Sequence, residues 1–181
     1  MTMPPSARKL ALTIHLSCSV GWFGAVVAYL VFDLTVATSR DPTLVRDSWA
    51  AMGRLVSGAI VPLALASLVT GLIMAVGTKW GLFRHWWVLI SLALTVVAVV
   101  VLLSESMVVT GIAALAAKAA TTDADVLAFP PTLLHSVGGL AVLVLVQVLN
   151  VYKPQGVTPY GWRKRQEERG RRASSAAVGS S

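Results

Sequence analysis

The sequence predicts an all-α polytopic membrane protein: a four-helix transmembrane bundle with amphipathic or interfacial helices at its outer face. Of the 181 residues, 56% are hydrophobic and only 13% are charged, far too little polar surface for a water-soluble domain. Four apolar stretches approach or exceed the roughly 20 residues that cross a bilayer as a helix, and no alternating strand pattern competes with them. The predicted spans are residues 10–32, 55–76, 86–103 and 133–151.

The chain divides into a transmembrane domain, residues 1–153, and a basic tail, residues 154–181, whose small polar end (173–181) we expect to be disordered. The first span could be read as a signal peptide. Its apolar stretch, however, is longer than the usual signal core of about 7–15 residues, so we favour a retained helix. The single cysteine, Cys18, excludes an internal disulfide.

The orientation follows from the basic residues. Eleven of the fifteen Lys and Arg lie on the side that holds both termini and the connection between spans two and three, and four lie on the other side. The positive-inside rule then predicts a multi-pass plasma-membrane protein with cytoplasmic N- and C-termini. The basic tail beside the last span predicts contact with anionic lipid headgroups rather than nucleic acid. Most aromatic residues expected at membrane interfaces cluster on the same side: Trp80, Phe83, Trp86, Trp87, Tyr152, Tyr160 and Trp162.

Two outer helices are expected beside the spans. Asp41 followed by Pro42 is a typical helix start, and residues 42–54 then form an amphipathic helix that leads into span two. Pro62 should kink that span. The Ala-rich stretch 107–120 is too short for a fifth span, so we expect an outer interfacial helix there; the alternative is that this stretch extends span three. The short connection 79–84 makes spans two and three antiparallel neighbours.

Span one has three distinguishable faces at 100° per residue. A lipid-facing sector includes Phe23, Val27 and Leu30. Two other sectors should face helices, because polar groups are costly against lipid and small residues allow close approach. The polar and aromatic sector holds His15, Cys18, Trp22, Tyr29 and Asp33, and the small-residue sector holds Ser17, Gly21, Gly24, Ala25 and Ala28. Such small-residue faces could also mediate a homo-oligomer or a contact with a membrane partner.

A few residues could carry chemistry. His15 and Cys18, one turn apart, could ligate copper, and His15 could ligate haem; His85 is the only second histidine at a compatible depth. The alternative is that His15 is a packed, hydrogen-bonded histidine and Cys18 a small hydrophobe. Asp33 and Arg54, at the outer ends of spans one and two, are candidates for a structural ion pair, with Glu105 as a competing acid. No phosphate-binding loop or paired catalytic carboxylates occur.

Three segments carry a resemblance to known membrane proteins: WGLFRHWWVL (80–89), NVYKPQG (150–156) and YGWRK (160–164). They resemble an uncharacterised family of actinobacterial four-helix integral membrane proteins. The first helix, with His15 followed by GWFG (21–24), is also similar to copper-resistance D type proteins and to haem-associated membrane protoporphyrinogen oxidases. That similarity implies His15 as a haem or copper ligand. The sequence departs from such a site, since it has no Met-rich or Cys-rich copper motif.

The sequence therefore favours a non-enzymatic accessory or binding protein of the membrane. The alternative is a haem- or copper-binding redox protein that uses His15. A small transporter is a third reading, disfavoured because the cores of spans two and three contain no Asp, Glu, Lys or Arg.

Overall fold

The computed structural model describes residues 3–77 and 82–178, and these residues form helices and no strand. The helices are α1 (Pro5–Thr38), α2 (Pro42–Leu55), a π-turn (Val56–Ile60), α3 (Val61–Gly77), α4 (Trp86–Ala116), α5 (Asp123–Ala128), α6 (Leu133–Tyr152) and α7 (Pro159–Val178). Among the described residues, four helical stretches are long and apolar enough to cross a membrane: Pro5–Thr38, Pro42–Gly77, Trp86–Ala116 and Leu133–Tyr152. The predicted all-α membrane bundle is confirmed.

The four spanning helices pack around α1 and α4. Helix α1 packs against α3 and α6, and so does α4, while α2 packs on both at one end. We call the end that holds the start of α1 and the end of α6 the terminal end. We call the opposite end, which holds α2 and α5, the distal end.

The predicted faces of α1 are confirmed for most residues. Trp22, Tyr29 and Asp33 are buried, whereas Phe23 and Val27 are exposed on the outside of the bundle. Leu30, expected to face lipid, is only partly exposed. The small-residue sector is used in part. Gly21 lies against Leu63 of α3, but no atom approaches the Cβ position of Gly24.

Helices α2 and α3 form one continuous stretch, as predicted. The Asp41 carboxylate accepts hydrogen bonds from the backbone N–H groups of Thr43 and Leu44, which confirms the predicted cap. The apolar stripe of α2 is buried: Val45, Trp49, Met52 and Val56. Pro62, where we predict a kink, directly follows the π-turn, in which the Val61 N–H bonds to the Val56 carbonyl. A wider turn there fits a proline, which lacks the N–H and crowds the preceding turn.

The prediction of a separate interfacial helix over residues 107–120 is wrong, because α4 continues without a break to Ala116. Two hydroxyls along this part of α4 bond to their own helix: Ser106 donates to the Leu103 carbonyl and Thr110 to the Ser106 carbonyl. At about 1.5 Å per residue, α4 exceeds the membrane's roughly 30 Å apolar core. Its final turns pack under α2, where the Cβ position of Gly53 is 2.8 Å from Ala113 Cβ.

Beyond α6, the chain folds back on the terminal end of the bundle. Lys153 ends α6 in the left-handed conformation, and Thr158 donates its hydroxyl to the Phe83 carbonyl. Helix α7 follows, and its Glu168 forms an ion pair with Arg84 at 2.7 Å. The helix reaches Val178, into the stretch expected to be disordered. Residues 179–181, and Lys79 and Trp80 of the predicted short connection, lie outside the described residues.

Candidate functional site

A cavity of about 250 Å³ lies between α1, α4 and α6 in the distal half of the bundle. The π-turn that joins α2 to α3 also contributes to its wall. Aliphatic side chains make up most of that wall: Val26, Ile60, Val97, Val101, Val142 and Leu143. The polar lining includes Trp22, Tyr29, Glu105, Thr132, His135 and Ser136. Three of these six lie at the start of α6, and Tyr29 and Glu105 contact two of them, Thr132 and His135, so the cavity is apolar with a polar end.

The cavity opens sideways between α4 and α6. Val97 and Leu134 line it, yet they are 61% and 83% exposed on the outside of the bundle. Gly138 and Gly139 also line it, and nothing lies within 4 Å of the Cβ position of either glycine. Since this side of the helices is apolar and lies within the spanning stretches, the opening faces the lipid phase.

Asp33 organises the polar end of the cavity. Its carboxylate accepts a hydrogen bond from the Thr132 backbone N–H at 2.8 Å and another from the Ser136 hydroxyl at 2.7 Å. The side chain is fully buried. A carboxylate at the first turn of α6 also interacts favourably with that helix's dipole. Tyr29, one turn earlier on α1, is hydrogen-bonded to the Thr132 hydroxyl at 2.7 Å. Together these contacts join α1 to the start of α6.

A second polar contact joins α4 to α6 across the cavity. His135 Nε2 lies 3.3 Å from Glu105 Oε1, and the contact is an ion pair when the imidazole is protonated. His135 is about half exposed, and Glu105 is more buried. No Lys or Arg is among the described residues that line the cavity.

Trp22 lies deeper in the same cavity, two turns from Tyr29. Its side chain is 4% exposed, and within the described chain its indole N–H has no hydrogen-bond acceptor. Buried polar groups in proteins nearly always have a partner, and an unsatisfied one costs about 1–3 kcal/mol. Trp49, which does not line the cavity, has the same unpartnered indole N–H, and the Nε1 atom of each ring is covered by protein.

His15 lies in the terminal half of the bundle, outside this cavity. Its Nδ1–H points to α3, 3.1 Å from both the Ser67 carbonyl oxygen and the Thr70 hydroxyl oxygen. The ring packs against Gly71, whose Cβ position is 3.1 Å from His15 Cε1. Ser19, one turn along α1, is hydrogen-bonded to the Ser67 hydroxyl at 2.8 Å. His15 thus makes the contacts of a packed histidine that ties α1 to α3.

The other two candidate ligands are His85 and Cys18. His85 precedes α4, and its Nε2 lies 3.3 Å from an Arg165 nitrogen of α7, which donates to it. Cys18 is a free, partly buried thiol. In residues 3–77 and 82–178, no three His, Cys, Asp or Glu side chains come together as a possible metal site. His15 Nδ1 and His85 Nε2 are each engaged by a group of the protein.

The predicted ion pair between Asp33 and Arg54 is not formed. Asp33 points into the bundle and bonds to Thr132 and Ser136, whereas Arg54 lies on the exposed side of α2, opposite the stripe that contains Trp49. Glu105, the competing acid, pairs with His135 instead.

The cavity itself escaped prediction from the sequence. The periodicity of span one predicts that Trp22 and Tyr29 face inward, but nothing in the sequence identifies Thr132 and Ser136 as their neighbours. One signal was present: Pro130 and Pro131 precede the last span, so the backbone N–H groups at its start need acceptors from another helix. Asp33 is an inward-facing acceptor at the matching end of span one.

The fold and this cavity define the class of the protein, a four-span α-helical membrane protein with a cavity that opens toward lipid. Comparison with protein-family models, curated proteins and solved structures gave no match. The resemblance drawn from segments 80–89, 150–156 and 160–164 therefore stays a prediction.

Proposed function

We propose that this protein is a non-enzymatic binding protein that holds an amphiphilic molecule of the lipid phase in the cavity between α1, α4 and α6. The observation that carries the proposal is the combination of apolar walls, a polar end and a lateral opening. An amphiphile matches that gradient, because its apolar part lies among the aliphatic residues and its polar part reaches the distal end.

The polar groups of the cavity favour binding over catalysis. Asp33 is held by Thr132 and Ser136, and Glu105 contacts His135. These groups connect helices to one another, and each acid is already engaged by a neighbour. An arrangement of this kind positions a ligand and does not leave a nucleophile beside a free base.

A cavity-filling substitution tests the proposal. Gly139→Phe places a ring in the cavity, since nothing lies within 4 Å of the Gly139 Cβ position. Gly24→Phe is the matched control, because its Cβ position is equally open but the residue does not line the cavity. Native mass spectrometry of protein extracted with its lipids should show a bound molecule on the wild type and on Gly24→Phe, and its loss from Gly139→Phe. Equal retention by all three proteins, or no bound mass on any, would reject the proposal.

We further propose that the protein lies in the plasma membrane with both termini in the cytoplasm. The support is the excess of Lys and Arg at the terminal end, together with the exposed aromatic residues Tyr160 and Trp162 on the basic helix α7. In this orientation the exposed basic residues of α7, which include Arg163 and Arg169, contact anionic lipid headgroups. A reporter active only in the cytoplasm should work when fused after Lys79 or Ser181 and fail after Ala120. Activity after Ala120 contradicts this topology.

A further inference from the structure

We infer that the ligand of the cavity carries an ammonium group, and that the Glu105 carboxylate holds this group at the polar end of the cavity. The inference rests on the proposed function and makes its ligand specific. It starts from a comparison of two acids, Asp33 of α1 and Glu105 of α4. Of the two, only Glu105 lines the cavity.

The two carboxylates differ in how fully the protein satisfies them. Asp33 is fully buried, and its two oxygens accept hydrogen bonds at 2.8 Å and 2.7 Å from Thr132 and Ser136. Glu105 has one ion-pair or hydrogen-bond contact in the described chain, which joins its Oε1 to His135 Nε2 at 3.3 Å. A carboxylate has acceptor sites on both oxygens. Asp33 therefore connects helices, whereas Glu105 keeps accepting capacity that the protein does not use.

The second oxygen of Glu105 is accessible. Oε2 has no partner in the part of the chain that the structure describes. Unlike the indole nitrogens of Trp22 and Trp49, it is not covered by protein. The Glu105 side chain as a whole is 25% exposed. An acceptor that is both unpaired and uncovered, on a side chain of the cavity wall, is open to a group of the ligand.

The charge of the lining selects the sign of that group. Glu105 and His135 are the lining residues that carry charge near neutral pH, since no Lys or Arg is among the described residues of the wall. With a neutral imidazole the pair carries one negative charge, and with a protonated imidazole it carries none. Charges attract most strongly in surroundings of low dielectric constant, such as this apolar wall. A cation is therefore attracted whenever His135 is neutral, whereas an anion gains nothing in either state.

The position of Glu105 along α4 suits a charged headgroup. Glu105 comes 19 residues after Trp86, the first residue of α4, or about 28 Å along the helix. The apolar core of a bilayer is about 30 Å thick, so Glu105 lies near the distal boundary of that core and not at its centre, where charge is most costly. An ammonium group at Glu105 thus stays close to the polar membrane surface.

The size of the cavity indicates how the rest of the molecule lies. A volume of about 250 Å³ is small for a complete lipid, since ligand pockets commonly range from about 300 to 1,000 Å³. A compact ammonium group and the first carbons of its chain fit inside. The chain then leaves between α4 and α6, past Val97 and Leu134, into the bilayer. Long-chain amines and the ethanolamine headgroup of a phospholipid share this chemistry.

His135 competes with the ligand for Glu105. When protonated, its imidazole is the cation that Glu105 pairs with, and the side chain is about half exposed. A permanent cation at this position should therefore exclude an ammonium ligand, whereas an apolar residue should leave Glu105 free to bind one. Loss of a merely structural contact would not make two substitutions at one position differ in this way.

Four probes test the selection by charge. The full-length protein in phosphatidylcholine nanodiscs is titrated at neutral pH with decylammonium, dioctanoyl phosphatidylethanolamine, decanol and decyl sulfate. Binding is measured above the partition into empty nanodiscs. The two ammonium probes should bind, and the tighter of them identifies the source as a free amine or a lipid headgroup. Decanol and decyl sulfate keep the chain of decylammonium, and each should bind about tenfold more weakly, or worse, because neither offers a cation to Glu105.

The Glu105→Gln variant keeps the size of the side chain and removes its charge. We expect it to weaken binding of the better ammonium probe about tenfold or more, the effect of one charge-assisted contact. Decanol binding should stay within about twofold of wild type, which shows that the cavity is intact. Asp47→Asn is the matched control, because it removes an acid from an exposed position of α2 that does not line the cavity. It should leave ammonium binding unchanged.

Two substitutions of His135 give effects that differ in direction. His135→Lys supplies Glu105 with a permanent cation and should weaken ammonium binding about tenfold or more. His135→Leu removes the competing ring and should bind the same probe at least as tightly as the wild type. If both variants weaken binding equally, His135 does not compete with the ligand for Glu105, and the inference is overturned.

The two proposals fail differently. The ammonium inference is overturned if neither ammonium probe binds, if decanol or decyl sulfate binds the wild type as tightly, or if Glu105→Gln leaves ammonium binding unchanged. In each case, loss of a bound lipid from Gly139→Phe alone would keep the cavity as a binding site for another amphiphile. If no probe binds and Gly139→Phe retains the same lipids as the wild type, the proposed function itself is overturned.

Discussion

His15 and Trp22 lie two turns apart on the same face of α1, but only His15 has a hydrogen-bond partner for its ring N–H among the described residues. The His15 ring lies against Gly71 and donates to α3, so its polar edge is satisfied within the chain. The Trp22 indole lies on a cavity and has no acceptor among the described residues. The difference comes from the neighbours: α3 offers a glycine and hydroxyls at close range, whereas α6 offers Gly138 and Gly139 across open space. A polar residue that faces inward therefore indicates a site only where its neighbours leave it unsatisfied.

The largest expected effect is at Asp33, which connects the cavity's polar end to α6. Asp33→Ala removes the acceptor for the Thr132 N–H and the Ser136 hydroxyl and should lower the free energy of unfolding by about 3 kcal/mol. Reversible unfolding in mixed detergent micelles measures it. The control Asp47→Ala, at an exposed position of α2, should stay within about 0.5 kcal/mol. Equal effects of the two substitutions would show that Asp33 does not connect these helices.

The close contact between the His15 ring of α1 and Gly71 of α3 can be broken by a substitution in α3. Gly71→Val adds a branched side chain where Cβ alone would lie 3.1 Å from His15 Cε1, so the ring must move away from α3. Overpacking of this kind should lower the free energy of unfolding by about 2 kcal/mol. Gly24→Val, where the Cβ position is open, should cost less than half as much. A mild Gly71→Val phenotype would mean that α1 and α3 separate easily.

Substitution of His15 itself should have a smaller effect. Gln can donate to the Ser67 carbonyl in place of the imidazole, so His15→Gln should change the free energy of unfolding by no more than about 1 kcal/mol. Cys18→Ala should be comparably mild. The wild type and both variants are also assayed for bound iron and copper and for haem absorbance. A metal or haem present in the wild type and lost from His15→Gln would reverse the comparison, making His15 the site.

The smallest expected effect is at the start of α5, away from both His15 and Trp22. Hydrogen bonds from the Thr122 hydroxyl and backbone N–H hold the pKa of Asp125 below its ordinary value. Because the folded pKa is the lower one, this contribution to stability is present above the unfolded pKa and is lost as pH falls through the folded pKa. Thr122→Ala should raise the Asp125 pKa toward normal, as measured by carboxyl NMR titration. Thr121→Ala, whose hydroxyl bonds to the Leu115 carbonyl instead, should leave it unchanged.

The sequence predicted the features that depend on residues close together in the chain. Hydropathy identified all four spans, the Asp41–Pro42 pair identified the start of α2, and helical periodicity identified the buried stripe with Trp22 and Tyr29. It did not predict the length of α4, because the Ala-rich stretch 107–120 is too short for a span of its own, and its continuity with span three depends on packing against α2.

Nor did the sequence predict the partners of Asp33. They are about 100 residues away, at Thr132 and Ser136, and charge alone favoured the nearer Arg54. The cavity could not be predicted for the same reason, since its walls come from residues far apart in the chain. A void between three helices depends on which small residues face each other, and periodicity within one helix does not contain that information.

The link from Asp33 to α6 has a consequence for biogenesis. The carboxylate belongs to α1, and its donors, Thr132 and Ser136, lie about 100 residues later, at the start of α6. Until α6 is made, Asp33 lacks both donors, and burial of a carboxylate without donors is costly, so the distal end of α1 stays near the polar membrane surface. Joining of α6 then completes the burial of this acid. The distal end of the bundle thus closes only after α6 is inserted, and a chain that has not reached this step exposes a carboxylate.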